Sequence, residues 1–420
     1  MERFIVEGGR KLYGKPQISS AKNSVLPLIA ASILRNGKTI IENCPRLCDV
    51  STMCDIIKSI GGKCFFEKNS LIIDTGGVKS WNLPCELTVK IRASFFTVGA
   101  LLSRFGAASV CRPGGCDLGD RPIDIHIQAF RDLGVDVKDG EIISFKKKRN
   151  DGGKIKLKYP SVGATENLIM YAVSLKGETV IENAAREPEI IDLQNYLNLI
   201  GANVRGAGSS VITVNEGCLQ NGGTVVYSPF SDRIEAGTFL FAGAICGGEL
   251  SFYKTDLFNL VEPLKILSNN ACKITPINDK IVSVSFNERM NGYGKIIIAP
   301  FPSFPTDLQP QLVASACYAN GLTVVEERVF PKRFAYVDEL TKIGADIVTR
   351  SEICVVSGKT ELSGAKMSAA ELRGGAALLI AALGAKGKSE ILNIQHIDRG
   401  YYAVEKKLQA LGASVNRVIL

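Results

Sequence analysis

Apolar and polar positions along this chain change period in a repeating way. An apolar run of helix length gives way to a glycine-marked turn, and the turn to a short strand rich in β-branched residues. The turns are Asn36-Gly37-Lys38, Phe105-Gly106-Ala107, Lys176-Gly177-Glu178, Gly247-Gly248-Glu249, Asn320-Gly321-Leu322 and Lys386-Gly387-Lys388, with glycines roughly 66 to 73 residues apart. The clearest strands after them are Thr39–Asn43, Thr179–Asn183 and Thr323–Glu327. A second helix follows, then a step into another strand: Ile60–Cys64, Leu133–Val137, Ile200–Val204, Asn269–Lys273, Ile343–Ile347 and Leu411–Val415. Glycine at most of these steps suits a helix C-terminus, where a left-handed residue is needed.

The pattern predicts an α/β protein of six divergent units, each βαβαββ in type. Long, divergent units point to two lobes of three rather than an open solenoid. The break falls near Ser228–Asp232. The expected lobes are residues 22–229 and residues 230–420, the second completed by residues 1–21, with a ligand site in the cleft between them.

Composition narrows the classes. The chain has 420 residues, 46% hydrophobic and 22% charged, which suits globular domains. A net charge of +8 favours an anionic partner, but basic residues are not interleaved with aromatic ones, so nucleic acid is not expected. The longest basic cluster, Lys146–Arg149, reads as a solvated loop. Twelve cysteines stand beside only two histidines with no CxxC pair, so no zinc site is expected. The opening Met1–Val6 has no long apolar region. Free thiols and a cytoplasmic location follow as expectations. The longest apolar stretches, Leu26–Leu34 and Ala376–Leu383, are too short to span a bilayer, so no membrane insertion is expected.

Candidate chemistry gathers at helix starts and loops. Lys22 and Asn23 precede an apolar helix predicted over Ser24–Leu34, with Pro27 in its first turn. Arg92 opens a helix predicted over Arg92–Ser103; Arg233 and Arg373 open two more. Helix N-termini offer unpaired N–H groups and the positive end of a dipole, and an arginine adds a bidentate fork. Arg121 and Arg399 are loop candidates of the same kind. A small substrate with several negative charges would need this many fixed cations. Cys116 lies among Pro113, Gly114, Gly115 and Gly119, outside any periodic apolar element, with Arg112 and Arg121 near in sequence to favour its thiolate. Asp307, after Phe304-Pro305-Thr306, reads as either a base or a helix N-cap.

Taken together, Ser20–Asn23, Arg112–Pro122, Asn183–Glu189, Phe304–Asp307 and His396–Gly400 resemble the UDP-N-acetylglucosamine enolpyruvyl transferase family, from about Phe4 to the C-terminus. The resemblance implies an inside-out α/β barrel in two lobes. It implies transfer of the enolpyruvyl group of phosphoenolpyruvate to the 3′-hydroxyl of UDP-N-acetylglucosamine, through a tetrahedral intermediate, at the start of peptidoglycan synthesis. No metal or organic cofactor is expected. Under it Lys22, Arg121 and Arg399 hold phosphate, Arg373 with Arg399 the carboxylate, and Asn23 the sugar nucleotide. Arg92, Arg121, Pro122, Ile123, Asp124, Ile125, Ser161, Val162, Gly163 and Val329 line the nucleotide site. Asp307 takes the hydroxyl proton, and Cys116 protonates the methylene carbon and is the target of fosfomycin.

Some positions depart from the family pattern. Ser20 replaces a usual glycine, Glu371 a usual aspartate, and Asp117 and Asp120 make the cysteine run more acidic. Two other readings stay open: a 5-enolpyruvylshikimate-3-phosphate synthase-like transferase, and a catalytically silent paralogue that binds sugar nucleotide.

Overall fold

The computed structural model describes residues 2–112, 123–287, 290–359 and 361–419. The glycines of the six repeat turns, Gly37, Gly106, Gly177, Gly247, Gly321 and Gly387, all have positive φ. The sequence punctuation therefore marks true chain reversals that a β-carbon would strain. The strand after the turn ends at a left-handed asparagine in three units, Asn43, Asn183 and Asn393, with φ of 49°, 54° and 56°. Asparagine tolerates this conformation because its short amide bonds locally. Asn183 donates to the Leu157 carbonyl and Asn393 to the Ser368 hydroxyl. Lys388–Leu392, a weak match by sequence, is thus a full copy.

One repeat shows the plan. Strand Lys154–Lys156, helix Val162–Ala172, strand Glu178–Glu182, helix Pro188–Leu199 and the hairpin Asn203–Arg205 with Val211–Asn215 run βαβαββ. In its sheet Lys154–Lys156 lies parallel to Glu178–Glu182, and the hairpin adds antiparallel strands beyond it. Among the described residues, five sheets have four strands and one has three. In the three-stranded sheet the parallel neighbour of Ala107–Cys111 shrinks to one bridge, Asn82 to Ser109.

Two sheets complete themselves from a distance. Thr224–Tyr227 supplies the parallel strand beside Lys38–Ile41, and Leu12–Gly14 does so beside Gly248–Tyr253. In the last sheet Glu2–Glu7 sits between Lys388–Leu392 and Ser414–Ile419, taking the place that a hairpin strand holds elsewhere.

The chain forms two units. One takes the described residues up to Ser19 and from Ser231 onward; the other takes those between Ser20 and Phe230. Each has its own apolar core. Three helices pack at the centre of each unit and the sheets lie outside them. They are Lys22–Ala31, Thr97–Phe105 and Val162–Ala172 in one unit, and Arg233–Cys246, Gln309–Ala316 and Leu372–Gly384 in the other. All eight residues of Gln309–Ala316 and twelve of the thirteen in Leu372–Gly384 are buried. Both helices are thus buried on every side, with Gln309, Gln311, Ser315 and Arg373 as polar groups inside the core. Close approach needs small residues: a β-carbon on Gly99 would lie 2.2 Å from the Asn167 carbonyl oxygen of the crossing helix.

Three expectations are corrected. The first core helix starts at Lys22 and is α-helical to Ala31, so Lys22 and Asn23 lie in its first turn and Pro27 lies beyond it. Arg92 opens a tight 3-10 turn, Arg92–Phe96, and the α-helix begins at Thr97. Hydroxyls explain the tighter turn, since Ser94 donates to Ile91 and Thr97 to Ser94, each three residues back. Nor are all thiols free, for Cys85 and Cys111 form a disulfide with Cα atoms 5.2 Å apart. Their separation of 26 residues hid this pairing from the sequence.

Candidate functional site

In the unit that contains Asp307, three core helices open around one carboxylate. Asp307 lies on the 3-10 turn Thr306–Leu308, just before Gln309–Ala316. The N-cap positions of these two elements are Pro305 and Leu308, so Asp307 does not occupy the capping position. Instead each oxygen meets one guanidinium: Arg333 Nη2 donates to Oδ1 at 2.9 Å and Arg373 Nη2 to Oδ2 at 3.0 Å. Both arginine side chains are 3% exposed, against 26% for Asp307. Burial pushes the Asp307 carboxyl up, but Arg373, Arg333 and Arg233 outweigh it and hold the group well below the usual carboxylate range. Two buried cations thus share one anion. Arg333 Nε and Arg373 Nη1 are also buried with no hydrogen-bond partner among the described residues. Asp232 and Glu327 also lie within electrostatic reach of Arg373 and Arg333 respectively, so it is the orphaned guanidinium donors that suit a further anion.

The supports of this cluster were not visible in the sequence. Arg333 Nη1 also donates to the Thr306 hydroxyl at 2.9 Å, and that hydroxyl donates to Glu327 at 2.8 Å. Glu327 is fully buried and accepts from the Val329 and Phe330 backbone N–H groups at 2.8 and 3.0 Å. Burial raises its pKa, and these bonds oppose the rise. It therefore ties Val329 to the Asp307 turn. A clue existed: Glu327 stands where sister strands end in Asn43 and Asn183. Arg333 follows Lys332 in a loop, and no sequence motif singles it out.

Arg373 is the second residue of its helix. Glu371 caps that helix, accepting from the N–H groups of Arg373 and Gly374, so glutamate serves where the resemblance expects aspartate. The Arg373 guanidinium lies 5.5 Å from the Tyr401 ring. The Tyr401 hydroxyl is held by Thr238 and by Gln311, each at 2.9 Å. Arg399 ends the 3-10 turn Ile394–Arg399 and is partly buried. Its neighbour Asp398 is gripped by Arg417 at 2.6 and 2.9 Å, and Arg417 also reaches Glu405 and Glu2.

In the other unit, Lys22 pairs with Asp49 at 2.6 Å, with side chains 9% and 7% exposed. Asp49 opens the helix Cys48–Ser59 and was not among the sequence candidates. Asn23 follows Lys22 and is partly buried. The serine at position 20 fits without a gap, its hydroxyl donating to the Glu42 carbonyl.

The candidates Arg92, Gly163 and the start of helix Asp124–Asp132 meet around His126. Burial, then the Arg92 charge, depress the His126 pKa to about 3, so the ring is neutral. Asn167 Nδ2 lies 3.2 Å from His126 Nδ1, an arrangement that assigns the ring proton to Nε2. A β-carbon on Gly163 would lie 3.1 Å from both the His126 and Phe96 rings. Ser161 caps the helix Val162–Ala172 through the Ala164 N–H. Ile123 is the N-cap position of Asp124–Asp132 and is buried, whereas Asp124 is exposed and Ile125 partly buried. One turn below Gly163, Glu166 is buried with neither oxygen partnered among the described residues. Burial, then Glu189 and Glu187, raise its pKa well above the usual value. Cys116, Arg121 and Pro122 lie outside the described residues. Among the described residues, no group of three or more His, Cys, Asp or Glu could hold a metal ion. No helix among them is long and apolar enough to cross a membrane.

The family model of EPSP synthase (3-phosphoshikimate 1-carboxyvinyltransferase) matches residues 6–408. UDP-N-acetylglucosamine 1-carboxyvinyltransferase 2 of Caldanaerobacter subterraneus subsp. tengcongensis is 42% identical over 420 residues, covering all of both chains. The Thermotoga maritima UDP-N-acetylglucosamine 1-carboxyvinyltransferase is 42% identical over 421 residues, covering 100% of this chain and 99% of its own. Among solved structures, the enolpyruvyl transferase NikO from Streptomyces tendae superposes with a TM-score of 0.88 at 21% identity, covering 99% of each chain. EPSP synthase from Acinetobacter baumannii gives 0.73 at 15% identity, covering both chains fully. These two likenesses establish the enolpyruvyl transferase fold.

Proposed function

Because the chain belongs to the enolpyruvyl transferase family, among the UDP-N-acetylglucosamine 1-carboxyvinyltransferases, we propose that it transfers the enolpyruvyl group of phosphoenolpyruvate to the 3′-hydroxyl of UDP-N-acetylglucosamine. The reaction belongs to peptidoglycan synthesis in the bacterial cytoplasm. The observation that carries the reading is the pair Arg333 and Arg373, two buried cations on one carboxylate with donors left for a second anion.

In this mechanism the phosphoenolpyruvate carboxylate takes the Arg373 and Arg399 side of the cluster. Lys22, Arg121 and Arg399 hold its phosphate. Asn23 binds the sugar, while Arg92, Arg121–Ile125, Ser161–Gly163 and Val329 bind the nucleotide. Asp307 is a poor base while two arginines stabilise it fully. An incoming anion shares those arginines and returns basicity to Asp307 as the substrate arrives. Asp307 then takes the 3′-hydroxyl proton as that oxygen attacks C2, and Cys116 gives a proton to the methylene carbon. Elimination reverses the carbon protonation and releases phosphate. The clasp thus makes the base strong only in the presence of substrate.

The test is phosphate release from phosphoenolpyruvate with each acceptor alone. Release with UDP-N-acetylglucosamine and none with shikimate 3-phosphate is the expected result. Release only with shikimate 3-phosphate, or sugar-nucleotide binding with no release, would refute the proposal.

A further inference from the structure

We propose that Cys85 and Cys111 form a reversible redox cross-link that braces Arg92, a modification site distinct from the residues of the transfer reaction. The backbone brings the two sulfurs together. Leu83 N–H donates to the Ser109 carbonyl at 3.0 Å and Ser109 N–H to the Trp81 carbonyl at 3.0 Å, so Asn82 and Ser109 form a parallel bridge. Each cysteine lies a few residues beyond that bridge on its own segment. Cys85 opens the helical turn Cys85–Thr88, which packs on the strand Ala107–Cys111.

The cross-link has a route to the proposed nucleotide site. The turn Cys85–Thr88 packs on Arg92–Phe96, and the Ser94 hydroxyl donates to the Thr88 carbonyl at 2.9 Å. Arg92 is thus joined through Thr88 and Ser94 to Cys85, and through the sulfur bond to the end of a sheet strand. Once the bond is cut, only packing and hydrogen bonds hold that turn.

The redox step is balanced and accessible. Two S–H bonds are lost as the Cys85 Sγ–Cys111 Sγ bond forms. Two electrons and two protons pass to a small-molecule disulfide such as oxidised glutathione, which is cleaved to two thiols. A dithiol reductant reverses the step. Cys111 is 4% exposed, whereas Cys85 is only partly buried and is the more accessible residue of the pair. The neighbouring thiols Cys54 and Cys64 differ: they are 5% and 8% exposed, lie in the apolar core and are free.

The experiment uses the full chain equilibrated with reduced dithiothreitol or with oxidised glutathione, then alkylated and mapped by peptide mass. UDP-N-acetylglucosamine binding is measured calorimetrically on the same samples. A linked 85/111 peptide pair is expected in the oxidised sample, with Kd at least threefold higher after reduction. Cys85→Ser should show the reduced-state Kd in both buffers. The proposal is overturned if no linked pair forms, or if linked and reduced chains bind equally. The effect on binding rests on the transferase reading. Failure of both states to bind would sink that reading, whereas the peptide map decides the cross-link by itself.

Discussion

At the scale of single residues, the clasp on Asp307 joins charge, position and chemistry. Arg333 is its least obvious part, since it holds the carboxylate and the Thr306 hydroxyl with separate nitrogens. A lysine there would keep the charge but could not hold both groups in the same fixed plane. Arg333→Lys is therefore expected to raise KM for phosphoenolpyruvate about tenfold or more, roughly one good charged hydrogen bond's worth. Steady-state kinetics with the sugar nucleotide saturating would measure it; a KM within twofold of the parent would refute the clasp's role. Asp307 itself was legible because a motif framed it. Arg333 and Glu327 were not, because a basic residue in a loop and an acid at a strand end carry no signal until folding puts them in one place.

At the scale of elements, apolar runs located all six core helices but not their ends, because hydroxyl back-bonds and caps set those locally. Ser94 and Thr97, for instance, turned the expected helix start at Arg92 into a 3-10 turn. Contacts between helices were equally hidden. Asp192 in Pro188–Leu199 is fully buried, yet accepts from Ser24 of the first core helix, from Tyr227 and from the Phe230 N–H. Burial, partly offset by those bonds, raises its pKa to about 6 from an ordinary value near 3.8. The folded state then binds the proton more tightly than the unfolded state, so this group's contribution falls as pH rises from about 4 to 6 and is level above. A shift of about two units corresponds to about 3 kcal/mol. The stability difference between Asp192→Asn and the parent should therefore move in the variant's favour by about that amount between pH 4 and pH 7. Urea midpoints at the two pH values test this, and an unchanged difference would refute it.

At the scale of the whole molecule, repetition was the most legible feature, because glycines that must adopt positive φ recur wherever the chain reverses. Strands supplied from far along the chain, such as Glu2–Glu7 within the last sheet, were invisible, since pairing across hundreds of residues leaves no local pattern. Six repeats resolve into two cores, one for each unit. Separate cores favour separate unfolding. Gly99→Ala provides a selective probe. Its new methyl group would press on the Asn167 carbonyl within a single unit, where the Asn167 side chain also accepts the Gly99 N–H at 2.8 Å. Overpacking of this kind costs about 1–3 kcal/mol. For a unit of this size that lowers the midpoint by roughly 4–8 °C at about 2 kcal/mol. Differential scanning calorimetry should show two components in the parent chain. Only the component of the unit holding Gly99 should move in the variant. Equal displacement of both, or a single transition whose calorimetric and van't Hoff enthalpies agree, would mean that the two cores melt as one.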